Sequence, residues 1–172
     1  MATLAPAPDR LVGRVLVRSA FAHEGAARRL VHRLKYEAVS GVAERLARAM
    51  VPLLPPDCTA LIPLPRVSVR RRRYGVDSAV ELAEAVAALS GLPVVRALRP
   101  GLWRRRRAGS ASGQRRGVPG FARAAPIPPG SVLVDDVVTT GSTIRAATAV
   151  SGVVRAVTAT AACRRLGRDP GV

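Results

Sequence analysis

Aromatic side chains make up only 3% of the 172 residues, so an interior built on stacked rings is excluded. The core has to come from Val, Leu, Ile and Ala. Cysteine is equally scarce. Cys58 and Cys163 stand far apart without a CxxC neighbour, which excludes a self-contained zinc finger and leaves two free thiols as the expectation. Lysine is almost missing, since Lys35 is the only one. No apolar run is long enough to cross a bilayer. Met1 to Pro8 lacks the basic head and apolar body of a signal peptide, so the expected location is cytoplasmic, with no membrane partner. Acids are also missing from one long stretch. Between Glu84 and Asp169 the only carboxylates are Asp135 and Asp136, in a region dense in arginine.

What is present is positive charge, Val-rich short runs and Ala-rich amphipathic runs. Lys and Arg total 28 against 11 Asp and Glu, a formal charge of +17. That balance fits a polyanionic partner, either nucleic acid or a phosphorylated substrate, and equally fits a bias toward arginine in composition. The alternation of runs points to an α/β domain. Val12 to Val17 reads as a short strand. From Glu24 the apolar positions Ala27, Leu30, Val31 and Leu34 have helical spacing, and a second helix is expected over about 39–50. Thr59 to Leu64 reads as a strand. Ser78 to Leu89 reads as a helix with Val80, Leu82, Ala83, Val86 and Leu89 facing inward, closed by Gly91. Pro93 to Leu98 reads as a short strand, Ser131 to Val134 as a buried strand, Thr143 to Val150 as a helix and Val153 to Cys163 as the last strand. Helical crossovers in this order imply a parallel sheet. Pro100 to Gly120 has no hydrophobic period. A loop of that length is usually a functional lid or a linker.

The most specific stretch is Val132-Leu133-Val134-Asp135-Asp136-Val137-Val138-Thr139-Thr140-Gly141-Ser142-Thr143. A buried strand is expected to end in two adjacent carboxylates at the carboxyl edge of the sheet, where α/β proteins place ligands. A hydroxyl-rich turn follows and opens a helix. Gly141 lets backbone approach a ligand closely. The N–H groups of a helix N-terminus favour an anion, and Thr139, Thr140, Ser142 and Thr143 add neutral donors. The turn suits a phosphate, and the carboxylates suit vicinal hydroxyls, a metal, or both. A sugar phosphate satisfies both halves. Two neighbouring like charges after a buried strand are otherwise costly.

This string resembles the signature by which type I phosphoribosyltransferases bind 5-phosphoribosyl-1-pyrophosphate (PRPP). The resemblance implies that Asp135 and Asp136 hold the ribose hydroxyls. It also implies that Val138, Thr139, Thr140, Gly141, Ser142 and Thr143 form the 5′-phosphate loop, and that Mg²⁺ is chelated mainly by PRPP oxygens with the two aspartates contributing indirectly. Further elements narrow it to the ComF-like branch. Arg33-Leu34-Lys35-Tyr36 is similar to that branch's "lKY" element, Leu61-Ile62-Pro63-Leu64-Pro65 to its "vPvPl" strand, Arg72 to Ala79 to its "RxRGFNQA", and Gly120-Phe121 to the end of its mobile loop. The chain departs from the pattern in five ways. Thr139 stands where some purine-salvage members carry an acid, Tyr74 stands for an arginine, Val76-Asp77-Ser78 replaces Phe-Asn-Gln, the long loop lacks a clean Thr-x-x-Gln, and the Cys-rich zinc module is missing.

The implied architecture is the type I phosphoribosyltransferase fold: an α/β domain whose mostly parallel sheet is flanked by helices, with a small N-terminal hood. The expected division is an N-terminal segment and helical hood at 1–56 and a core at 57–172, with a mobile loop at about 100–120. Lys35, Arg66, Arg70 and Arg73 are candidates for pyrophosphate, by fork geometry for the arginines, or else solvated surface cations. Arg104, Arg105, Arg106 and Arg107 are lid arginines closing over PRPP to exclude water, or an arm that grips DNA or RNA backbone. Trp103 either stacks on a base or anchors the loop. His23 and His32 are assigned no role. The expected function is transfer of phosphoribosyl to a nucleobase-like acceptor with pyrophosphate release. The alternative is a non-catalytic PRPP or nucleotide sensor, or a DNA-uptake accessory protein of competence. The resemblance also admits a homodimer.

Overall fold

The computed structural model describes residues 4–36, 41–65, 77–101 and 120–162. A five-stranded sheet forms its centre, in the order β1 (Arg10–Val12), β2 (Val15–Ala22), β7 (Arg155–Ala161), β6 (Ser131–Val138), β3 (Ala60–Pro63). β2, β7, β6 and β3 run parallel, and β1 is the antiparallel edge. The fold is therefore α/β with a mostly parallel sheet, as the helical crossovers predict. β1 and β2 lie within the 1–56 segment and are hydrogen-bonded into this same sheet.

Val132, Leu133 and Val134 are fully buried because both sheet faces are covered. One face carries α1 (Gly25–Tyr36), α2 (Val42–Met50) and α3 (Ser78–Ser90). Val31, Leu34, Leu46, Met50, Leu82 and Val86 pack there on Leu61, Val132 and Val134. The other face carries α4 (Ser142–Ser151) and a separate antiparallel ribbon of β4 (Leu98–Pro100) and β5 (Phe121–Arg123). Ile144, Ala147, Leu98 and Phe121 pack there against Val15, Val17 and Leu133.

Four elements differ from the sequence expectation. The strand expected at Val12 to Val17 is a hairpin turning at Gly13-Arg14, and its second arm runs on to Ala22 because β7 pairs with it through Ala161. The strand expected at Pro93 to Leu98 is reduced to one bridge, Val94 to Leu61, and Leu98 turns away to pair with Arg123. That ribbon extends to Gly101 and Gly120, where the Gly101 N–H donates to the Gly120 carbonyl at 2.8 Å. Leu89 is 40% exposed, past the buried stretch of α3 that ends at Val86. Finally, β6 does not stop at Val134 but continues to Val138, since β7 supplies pairing as far as Val138↔Ala161.

Candidate functional site

The extension of β6 decides how the two aspartates are presented. Both lie inside the strand, with Asp135 opposite Thr158. Successive strand residues leave the backbone in different directions. The expected side-by-side pair of carboxylates after the strand is thus corrected to two carboxylates with separate surroundings. Asp136 is buried, at 6% exposure. Lys35, in the last turn of α1, places Nζ 3.1 Å from its Oδ1. Ser78, the first residue of α3, donates its hydroxyl to Oδ2. Asp135 is half-buried, and its Oδ1 accepts the Asp136 N–H at 2.8 Å. Burying Asp136 is tolerable because an ammonium and a hydroxyl meet it there.

The turn after β6 is built from both sides. Thr139 and Thr140 are exposed, while Gly141 is buried. Gly141 caps α4 with φ 74, and no side chain caps that helix end. The first turn of α4 contains no acid. Among the described residues, the N–H groups of Thr140, Gly141 and Thr143 have no hydrogen-bond acceptor. The Thr140 hydroxyl reaches the Ser142 hydroxyl at 3.3 Å and accepts the Ser142 N–H at 3.4 Å. A short row of donors at the positive end of a helix results. A second reason for glycine at Gly141 comes from its neighbours. A Cβ there would lie 2.3 Å from Cγ1 of Val12, so the β1 side chain is what crowds the position. Val138, the last residue of β6, is buried.

Five further residues belong to this edge. Arg10 donates to the carbonyls of Thr139 and Ala162. Arg145 donates to the Thr140 carbonyl at 3.0 Å. Ser78 sits where the resemblance has a glutamine, so its hydroxyl was hidden behind a mismatch. Thr160 donates to the Asp136 carbonyl at 3.3 Å and lies 2.8 Å from Nδ1 of His23. The Thr160 hydroxyl and His23 Nδ1 share a hydrogen bond whose direction follows the imidazole tautomer. Burial first, then the charges of Lys35 and Arg28, lowers the His23 pKa, against an opposing pull from Asp136. No sequence pattern marks His23. Only the parallel pairing of β2 with β7 brings it to this edge.

Lys35, a pyrophosphate candidate by sequence, is 22% exposed and ion-paired with Asp136, and so is no free surface lysine. Arg66, Arg70, Arg73 and the lid arginines Arg104 to Arg107, with Trp103, lie outside the described residues. No cluster of three or more His, Cys, Asp or Glu suited to a metal is found among the described residues. Cys58 is a free thiol whose pKa is raised by burial, so it is poorly suited to nucleophilic chemistry. No described helix is long and apolar enough to cross a membrane. No protein-family model matches the chain, and no curated protein matches it by sequence.

Proposed function

We propose that this edge of the sheet binds PRPP and that the chain is a ComF-like type I phosphoribosyltransferase. The observation that carries this reading is the pairing of a buried carboxylate, Asp136, with an uncapped helix N-terminus a few residues later on the same strand–turn–helix unit. A ribose 5-phosphate needs both: acceptors for its hydroxyls and donors for its phosphate. In this reading Asp135 and Asp136 accept the ribose hydroxyls. The amides and hydroxyls of Thr139 to Thr143 hold the 5′-phosphate. Lys35, held 3.1 Å from Asp136, supplies a cation to the pyrophosphate in the same reading. Bound Mg²⁺ would neutralise charge on the leaving pyrophosphate. The chain's own contribution is to position the sugar and to stabilise charge with fixed donors. A nitrogen of the acceptor base then displaces pyrophosphate at ribose C1.

The experiment is pyrophosphate release from PRPP and Mg²⁺ with each common nucleobase, compared with the Asp135→Asn/Asp136→Asn double variant. Release that the double variant abolishes supports the transferase. PRPP binding without turnover on any base points instead to the non-catalytic sensor, which the hydroxyl of Thr139 in place of an acid favours. The accessory role at nucleic acid has one observation of its own. A cleft of about 310 Å³ beside α1 and α2 is lined by Arg29, Arg33 and Arg45. DNA affinity that falls steeply with salt and ignores PRPP would favour that role.

A further inference from the structure

The phosphate loop is gripped from behind by two arginines that no motif predicts. Arg10 on β1 donates to the Thr139 carbonyl, and Arg145 on α4 to the Thr140 carbonyl at 3.0 Å. There are no cis peptide bonds in the described chain, and in a trans peptide the C=O and the following N–H point in opposite directions. A carbonyl held by Arg10 therefore turns the Thr140 N–H away from Arg10. A carbonyl held by Arg145 does the same to the Gly141 N–H. Those are two of the amides without an acceptor among the described residues. The hairpin makes the arrangement stiff. Val12 fills the space over Gly141, and a Cβ placed on Gly13 would lie 3.9 Å from Cδ of Arg145. Charge adds to geometry, because a guanidinium on a carbonyl oxygen polarises the peptide and strengthens its N–H as a donor. Among the described residues neither guanidinium pairs with a carboxylate.

We propose that Arg10 and Arg145 are positioning residues that clamp the Thr139 and Thr140 carbonyls so that the Thr140 and Gly141 amides face the 5′-phosphate. This rests on the proposed PRPP reading for the identity of the anion, but not for the clamp itself. The hairpin β1–β2, at the edge of the sheet, thereby becomes part of the binding machinery.

The test uses the full chain with Arg10→Met, Arg145→Met, Arg145→Lys and, as a control for loss of one charge, Arg48→Met on α2, where Arg48 pairs with Glu44. Backbone order at the Thr140 and Gly141 amides is measured by NMR relaxation without ligand, and PRPP affinity by calorimetry. Thermal midpoints identify any variant that fails to fold, and Arg145→Lys keeps the question open if Arg145→Met does. The expected result is lower order parameters at those two amides and PRPP affinity weaker by about tenfold in each Met variant. Arg145→Lys recovers most of that loss, because one donor replaces one donor, and Arg48→Met binds as the wild type does. Unchanged order, or equal losses in Arg145→Met and Arg48→Met, overturns the clamp. If the wild type fails to bind PRPP, the proposed function falls, and backbone order alone then decides the clamp: a decrease supports it, no change overturns it.

Discussion

The two ends of α4 make opposite use of the same residue. Gly141 at the start and Gly152 at the end have φ 74 and φ 75. At the end the chain closes on itself: the Gly152 N–H donates to the Thr148 carbonyl, the Thr148 hydroxyl to the Val153 carbonyl, and the Val153 N–H to the Ser151 hydroxyl. At the start, Val12 crowds the glycine, two arginines take the Thr139 and Thr140 carbonyls, and the Thr140, Gly141 and Thr143 amides find no acceptor among the described residues. A helix end that folds back on its own polar groups is a structural stop. One that leaves amides of its entry turn without an acceptor offers donors to a group from outside, as the proposed function requires.

The sharpest way to break this comparison is to put a methyl on each glycine. Gly141→Ala is expected to cost about 3 kcal/mol, combining the left-handed backbone penalty with a collision at buried, β-branched Val12. Gly152→Ala meets nothing within 4 Å and is expected to cost only about 1 kcal/mol. Urea unfolding of both variants checks it, and equal costs would erase the contrast. Lys35→Met comes next. It strands a buried carboxylate beside the open end and is expected to cost about 2–3 kcal/mol, below the full value for a buried pair because Lys35 keeps 22% exposure. Adding Asp136→Asn is expected to recover much of that in the same unfolding experiment.

A smaller effect concerns pH. The folded His23 pKa lies below its ordinary 6.5, so the unfolded chain binds the proton more readily. The neutral ring's stability is fully present above that ordinary value and is lost as pH falls through the folded pKa. Thermal midpoints between about pH 5 and about pH 8 are expected to fall less steeply on the acid side in His23→Gln. The smallest effect is expected far from either helix end. The Asp57 carboxyl is held below its usual range chiefly by its hydrogen bond to Arg155, but the pair is surface-exposed. Arg155→Met is expected to leave the thermal midpoint unchanged within error.

Much of the architecture was legible because apolar spacing reports it directly. Ala27, Val31 and Leu34 set α1, Leu82 and Val86 set α3, and the run Val132 to Val134 marks a strand covered on both faces. What composition could not reveal was pairing. β6 runs past its apolar stretch because β7 offers partners to Val138, and that carries both aspartates into the sheet. Pairing also brings His23 beside Thr160, and Arg10 beside Thr139. The donor turn at Thr139 to Thr143 was visible from its hydroxyls and glycine. The reason for that glycine, the neighbouring Val12, was not, because it lies on a strand 129 positions upstream in sequence.

The most direct measurement is a titration of PRPP with Mg²⁺ into isotope-labelled protein, following backbone amide resonances by NMR. The account predicts saturable shifts that are largest at Thr140, Gly141, Ser142 and Thr143 and absent at Gly152, and that weaken in the Asp135→Asn/Asp136→Asn variant. Shifts that never saturate, or that leave those four amides unmoved, would contradict it.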